Sequence, residues 1–164
     1  MDEFGPVQML VVGFDDANFQ GEILPELRRL RDRDVIRLID LVVVEKDAAG
    51  DITSVEVSDL SKEEAVEFGA IAGALVGLGA DGGEGMEEGA LAGAEAVEDG
   101  VFGDELVWSV ADAIPFGSTA AVALLEHRWA IPLRDAIRRA GGVTRADAWV
   151  HPEDLIAAGA ALRA

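Results

Sequence analysis

The chain has no cysteine and no tyrosine, only two histidines, and few aromatics of any kind. Disulfides and thiolate metal sites are therefore excluded, and a cysteine-free composition fits a reducing compartment. Lysine is scarce too, with only Lys46 and Lys62 among 13 basic residues. Met1 to Pro6 carry two acids and neither a basic nor an apolar stretch, so no signal peptide is expected and the cytoplasm is the expected location. No GxGxxG follows the first predicted strand, and P-loop, G-x-S-x-G and H-E-x-x-H strings do not occur. These absences narrow any enzymatic role and point to no cofactor.

What the chain has is acid. Thirty-two acidic residues give a formal net charge of -19 and a pI near 4.2. Such a charge repels phosphate backbones, so nucleic acid and anionic membrane surfaces are excluded as partners, while a basic protein stays open. A 50% hydrophobic composition and mean hydropathy of +0.23 nevertheless predict a folded chain. Its 164 residues are expected to form one domain, 1–164.

Val7 to Phe14 is a short, nearly continuous apolar run and predicts a strand buried on both faces. Asp15, Asp16 and Asn18 supply turn chemistry, and a helix begins near Gly21 with Pro25 close to its first turn. Val35 to Lys46 is rich in β-branched residues and too apolar for an edge strand. A hairpin through residues 47–51 leads to a half-exposed strand over Ile52 to Val57. Ser61 and Glu64 form a capping box, opening an Ala/Gly helix that runs to Ala80. A Gly82-Gly83 loop and a second Ala/Gly helix over Met86 to Val97 follow. Beyond Gly100 come a short helix over Asp104 to Ala113, a strand over Ser118 to Leu125, and an amphipathic helix over Trp129 to Ala140 ended by Gly141-Gly142. A last strand over Val143 to Val150 precedes a terminal helix over 152–163.

A shift of 107 positions lays Pro25 on Pro132, Leu30 on Ile137, Ile36 on Val143, Asp40 on Asp147 and Val43 on Val150. The expected fold is therefore α/β of the α+β kind: a ferredoxin-like pair of split strand-helix-strand halves, 7–46 and 118–150, with 52–113 inserted as an extra strand and a Gly/Ala-rich helical hairpin.

Gly69, Gly73 and Gly77 recur every fourth residue, leaving one helix face almost without side chains. Glycine weakens a helix by about 1 kcal/mol per position relative to alanine, so this face must be covered. Subunit association is preferred over packing within the monomer and over membrane insertion, because the apolar run is too short to span and the partner helix carries Glu87, Glu88 and Glu95. The interface is then Gly69, Gly73 and Gly77 with Ile71, Leu75 and Leu78 on the opposite face, and a homo-oligomer, a dimer first, is the expected partner state. The acids from Asp81 to Glu105, Glu98 and Asp99 included, lack the spacing of a Ca²⁺ loop and read as a solvated face; no metal is expected.

Glu126 and His127 follow the fourth strand directly. A carboxylate beside a histidine suggests a general base, but neighbours on a strand point to opposite faces, so a half-buried histidine bonded to backbone is the preferred reading. His151 before Pro152 reads as a capping neighbour. Asp40 and Asp147 occupy matching repeat positions in apolar strands; facing inward they need hydrogen-bond partners, and the outward, solvated placement is preferred. Glu126, His127, Asp40 and Asp147 are the candidate ligand-binding residues.

The strings FQGEILPEL, IRLIDLVVVEKDAAG and ALLEHRWAIPLRDAIRRAGGV together resemble a domain-of-unknown-function family found mainly in actinobacteria, often near short C-terminal oligomerisation domains. More distantly the chain is similar to a predicted-membrane-protein family with the same strand-helix-strand-strand start and a Gly/Ala-rich hairpin. The resemblance implies an α/β fold and no particular activity. It also implies a central segment that is apolar in the membrane-labelled relatives, from which this chain departs through Asp81, Glu84, Glu87, Glu88 and Glu95. The function expected is that of a non-enzymatic, oligomeric acidic protein, stress-associated or scaffolding, that self-associates through the Gly/Ala helices. The alternatives are a small-ligand or regulatory module using a cleft between the sheet and the inserted helices, and, more weakly, an enzyme working through His127.

Overall fold

In the computed structural model, which describes residues 4–15, 22–97 and 101–162, the apolar and β-branched runs form strands β1 (Val7–Phe14), β2 (Ile36–Lys46), β3 (Ile52–Val57) and β4 (Ser118–His127). Helices α1 (Ile23–Asp32), α2 (Lys62–Ala96), α3 (Gly103–Ala113), α4 (Ala130–Arg139) and α5 (Pro152–Ala161) complete a mixed α+β fold. Expectations resting on Asp16, Asn18, Gly21, Glu98, Asp99 and Gly100 lie outside the described residues.

The strands make one antiparallel sheet in the order β1-β4-β2-β3. β1 and β2, joined through α1, run parallel with β4 between them, so the first strand-helix-strand half is split as expected. The second half is not built that way. α4 forms at the residues the 107-position shift assigns to it, but residues 142–150 have no secondary structure and are exposed, so Val143 to Val150 is not a strand. Thr144, Arg145 and Asp147 break its apolar character, and it offers fewer large β-branched and leucine side chains to bury than Ile36 to Val44, where only Arg37 and Asp40 are polar. β3, expected as part of an insertion, is instead an integral edge of the sheet. β1 is the other edge and is mostly exposed rather than buried on both faces.

The chain divides into two compact units, Met1–Ile131 and Pro132–Ala164, with the boundary inside α4. In the second unit α4 ends at Gly141, whose φ of 80° favours glycine, and the Gly142 amide donates to the Ile137 carbonyl at 2.9 Å. α5 starts with Pro152 in its first turn, and Asp154 accepts the His151 amide at 2.8 Å, which makes His151 the capping residue expected.

In the first unit the core lies where β2 meets α3. Val42 and Val44 are buried with Ala111, against Val107, Val110 and Ile114. The register slips between Leu38 and Asp40, a bulge that breaks the alternation of β2 and places Ile39 and Asp40 together among its buried residues. Asp40, with no exposure at all, accepts the Phe102 amide at the start of α3 (3.2 Å) and the Leu41 amide (2.8 Å). Six residues on, the Lys46 ammonium donates to the Ala111 and Ile114 carbonyls at the other end of α3 (3.1 and 3.4 Å) and lies 4.7 Å from the Phe116 ring centre. One strand thus presents an anion to the positive end of the helix and a cation to its negative end.

Candidate functional site

The capping box forms as the sequence predicts: the Ser61 hydroxyl accepts the Glu64 amide at 3.2 Å, and the Glu64 carboxylate accepts the Ser61 amide at 2.8 Å. The 35-residue α2 that follows is two helical arms, because Asp81 (φ -133°, ψ 24°) and Gly82 (φ 63°, ψ -140°) leave helical geometry. Glycine at 82 is required there, since a side chain is strained at that φ. The arms return against each other glycine to glycine. A Cβ on Gly69 would stand 3.0 Å from the carbonyl carbon of Gly93, one on Gly73 2.9 Å from that of Gly89, and one on Gly77 2.6 Å from that of Gly85.

The stripe assigned to subunit association is therefore closed within the chain. Gly69, Gly73 and Gly77 are consumed by the hairpin, because each of the three meets a glycine on the second arm and the two backbones come closer than any side chain allows. Their outward neighbours are a separate matter. Leu75, Val76, Leu78 and Leu91 are 51%, 75%, 44% and 69% exposed, and Ile71 is half-buried. Among the described residues the hairpin has no extensive packing against a strand or another helix; its base is tied by a Phe4–Phe68 edge-to-face ring contact and an Arg37–Glu64 ion pair at 2.5 Å.

Glu126 and His127 point to opposite sides of β4, as adjacent strand residues must. The wholly buried Glu126 carboxylate accepts the Gly5 amide through Oε1 at 2.8 Å, with Arg128 Nη1 at 3.8 Å; Oε2 has no hydrogen-bond partner among the described residues. The His127 amide donates to the Pro6 carbonyl at 2.8 Å, and its ring bonds to two side chains. Trp129 Nε1–H can only donate, so His127 Nδ1 accepts it at 3.3 Å, and Nε2 carries the proton and donates to Gln8 Oε1 at 3.1 Å. Burial holds the imidazole below its ordinary pKa. Both ring nitrogens of His127 are thus engaged by neutral side chains, and Glu126 lies on the other side of the strand.

Asp40 is the third candidate, and its outward placement is overturned by the bulge: it serves as an acceptor at the start of α3. It also faces another acid. Partial burial, a hydrogen bond shared with Asp40 and repulsion from Asp40 and Asp104 push the Glu56 carboxyl up to about 7. Glu56 carries no sequence signal of this, since only the register that sets it opposite Val42 puts it beside Asp40. Asp147 lies in the exposed segment before α5 and shares no strand position with Asp40. Among the described residues no group of three or more histidine or acidic side chains is placed to hold a metal ion.

The cleft expected between the sheet and the inserted helices is filled where α3 packs, by the Val42–Val44–Ala111 core. Open space lies on the opposite face, between the sheet and α1, lined by β1, β2 and β4. No family model matches the chain, and neither the curated proteins nor the solved structures contain a match to it.

Proposed function

We propose that this chain is a non-enzymatic, self-associating protein of scaffolding type, a homodimer first, and that the outer surface of the α2 hairpin is its assembly element. The observation that carries the reading is the glycine-to-glycine closure. With the inner faces of both arms spent on backbone contact, the large apolar residues of the hairpin have only the outside to occupy, and Leu75 and Leu78 stand a helical turn apart on one arm, both exposed. Large apolar side chains left exposed together on one element mark an interaction site in a protein whose composition is otherwise so charged. A second hairpin fits it best, since two hairpins laid side by side form a four-helix arrangement that buries the same residues from both copies. The engagement of both His127 nitrogens by Gln8 and Trp129 supports the non-enzymatic part of the reading.

Sedimentation velocity of wild type beside Leu75→Glu and Glu87→Ala tests it. Wild type and Glu87→Ala are expected to sediment as dimers and Leu75→Glu as a folded monomer. A monomeric wild type, or a Leu75→Glu variant that keeps the dimer, overturns the proposal.

A further inference from the structure

We propose that the groove between α1 and the sheet is a binding site for a straight-chain alkylammonium compound, a cationic amphiphile with an unbranched tail. The groove follows from residue sizes on three neighbouring strands. In the cross-strand rows Leu10–Ala123–Leu41 and Val12–Ala121–Val43, the middle strand β4 contributes one methyl group where both flanking strands contribute branched side chains. The sheet surface therefore dips along β4, and α1 stands over the dip with Leu24 and Leu27. The space between them is about 830 Å³, within the ~300–1,000 Å³ typical of small-molecule sites. The alanine floor between leucine and valine walls forms an apolar trough that runs along β4 and suits an unbranched methylene chain laid along the strand.

Charge selects the head group. The lining is apolar except for Glu22, at the start of α1, whose side chain makes no capping hydrogen bond. Among the described residues no cation lines the groove, so a carboxylate or phosphate head finds no partner among them, and the net charge of -19 repels it before contact. An ammonium head is drawn by the same field and meets Glu22 at the rim. The site rests on α1 and the sheet and is independent of self-association through α2.

The test is an NMR titration of the full-length protein with n-decylamine, n-decanol and decanoate, each kept below its micellar concentration. Decylamine is expected to saturate at one equivalent, with amide shifts centred on Ala121, Ala123 and α1 and contacts from its methylenes to the two alanine methyls; decanol should bind about tenfold more weakly and decanoate more weakly still. Ala121→Leu fills the dip and is expected to abolish saturable binding, while Glu22→Gln keeps decanol binding and removes the preference for the amine. Should Ala121→Leu fail to fold, Leu27→Trp blocks the same channel from above. Decanoate binding as tightly as decylamine overturns the proposal. So do amine-induced shifts scattered over the acidic surface without saturation, or decylamine binding unchanged in both blocking variants.

Discussion

A β-carbon built on Gly73 would stand 2.9 Å from the carbonyl carbon of Gly89, and one built on Gly89 would stand at the same distance from that of Gly73. Six residues along the same arm, a β-carbon on Gly79 would meet nothing within 4 Å. The two glycines answer to different physics, which makes them a controlled pair. Gly73→Ala must force the arms apart and is expected to destabilise the protein by about 1–3 kcal/mol through overpacking. Gly79→Ala adds helix propensity in open space and is expected to stabilise it by about 0.5–1 kcal/mol. Chemical denaturation of both variants followed by helical circular dichroism checks the signs; a Gly73→Ala protein as stable as wild type would show that the arms are not in contact.

The clamp of β2 on α3 predicts a second pair. Asp40→Ala leaves the Phe102 amide without its acceptor and is expected to lose about 1–3 kcal/mol. Lys46→Met removes a cation from the carbonyl end of α3 while keeping the aliphatic stem against Phe116, and is expected to lose about 1 kcal/mol. Urea midpoints measure both, and an Asp40→Ala midpoint equal to that of wild type would remove Asp40 from its assigned place.

Stability should depend on pH through Glu56. Its carboxyl ionises near 4.5 when unfolded and near 7 when folded, so between these values the folded state binds more protons and stability falls as pH rises. The residue is only partly shielded from water, and solvent screening holds the effect to about 1 kcal/mol. Glu56→Gln is expected to remove this fall, and an unchanged slope in the variant would contradict the Asp40–Glu56 contact.

His127 contributes with the opposite sign. Burial depresses its pKa in the folded state, so the stability it secures is present above its ordinary value of 6.5 and is lost as pH falls through the lower folded value. Imidazole nitrogen shifts in the folded protein at pH 6.5 should report a neutral ring protonated on Nε2. A mostly cationic ring at that pH would mean that the Gln8 and Trp129 bonds do not hold it.

By length and composition α2 could cross a membrane, but the break at Asp81 and Gly82 turns it into two arms, with Asp81 and Glu84 exposed at the turn and Glu87 and Glu88 just beyond. Carrying four carboxylates into hydrocarbon is unfavourable by about 2.5 kcal/mol or more for each. The protein is expected not to float with neutral liposomes at moderate salt; co-flotation would show that the outward leucines meet lipid.

Much of the fold is local and therefore written in the sequence. The Ser61–Glu64 box, Pro152 at a helix start, the Gly141 end of α4 and the apolar runs of β1 and β2 each depend on residues within one or two turns of each other, and each forms as read. The extent of β1 was legible and its burial was not, because whether an apolar strand sits inside or at an edge depends on which strand pairs beside it.

The glycine stripe shows the division most clearly. Its period of four determined that a backbone must approach this helix closely, since nothing else covers such a face. Which backbone arrives was decided by Gly82, whose left-handed conformation brings Gly85, Gly89 and Gly93 back in register with Gly77, Gly73 and Gly69. Asp40 was decided in the same way by the bulge at Ile39, which turns the carboxylate from the α1 side of the sheet to the α3 side. The alanine-floored groove along β4 depends on the residues of β1 and β2 that flank it, which a single strand's sequence does not name. Caps and periodicity are set by neighbours along the chain, whereas faces, partners and cavities are set by register between segments far apart in it, where one bulge or one glycine reverses the outcome.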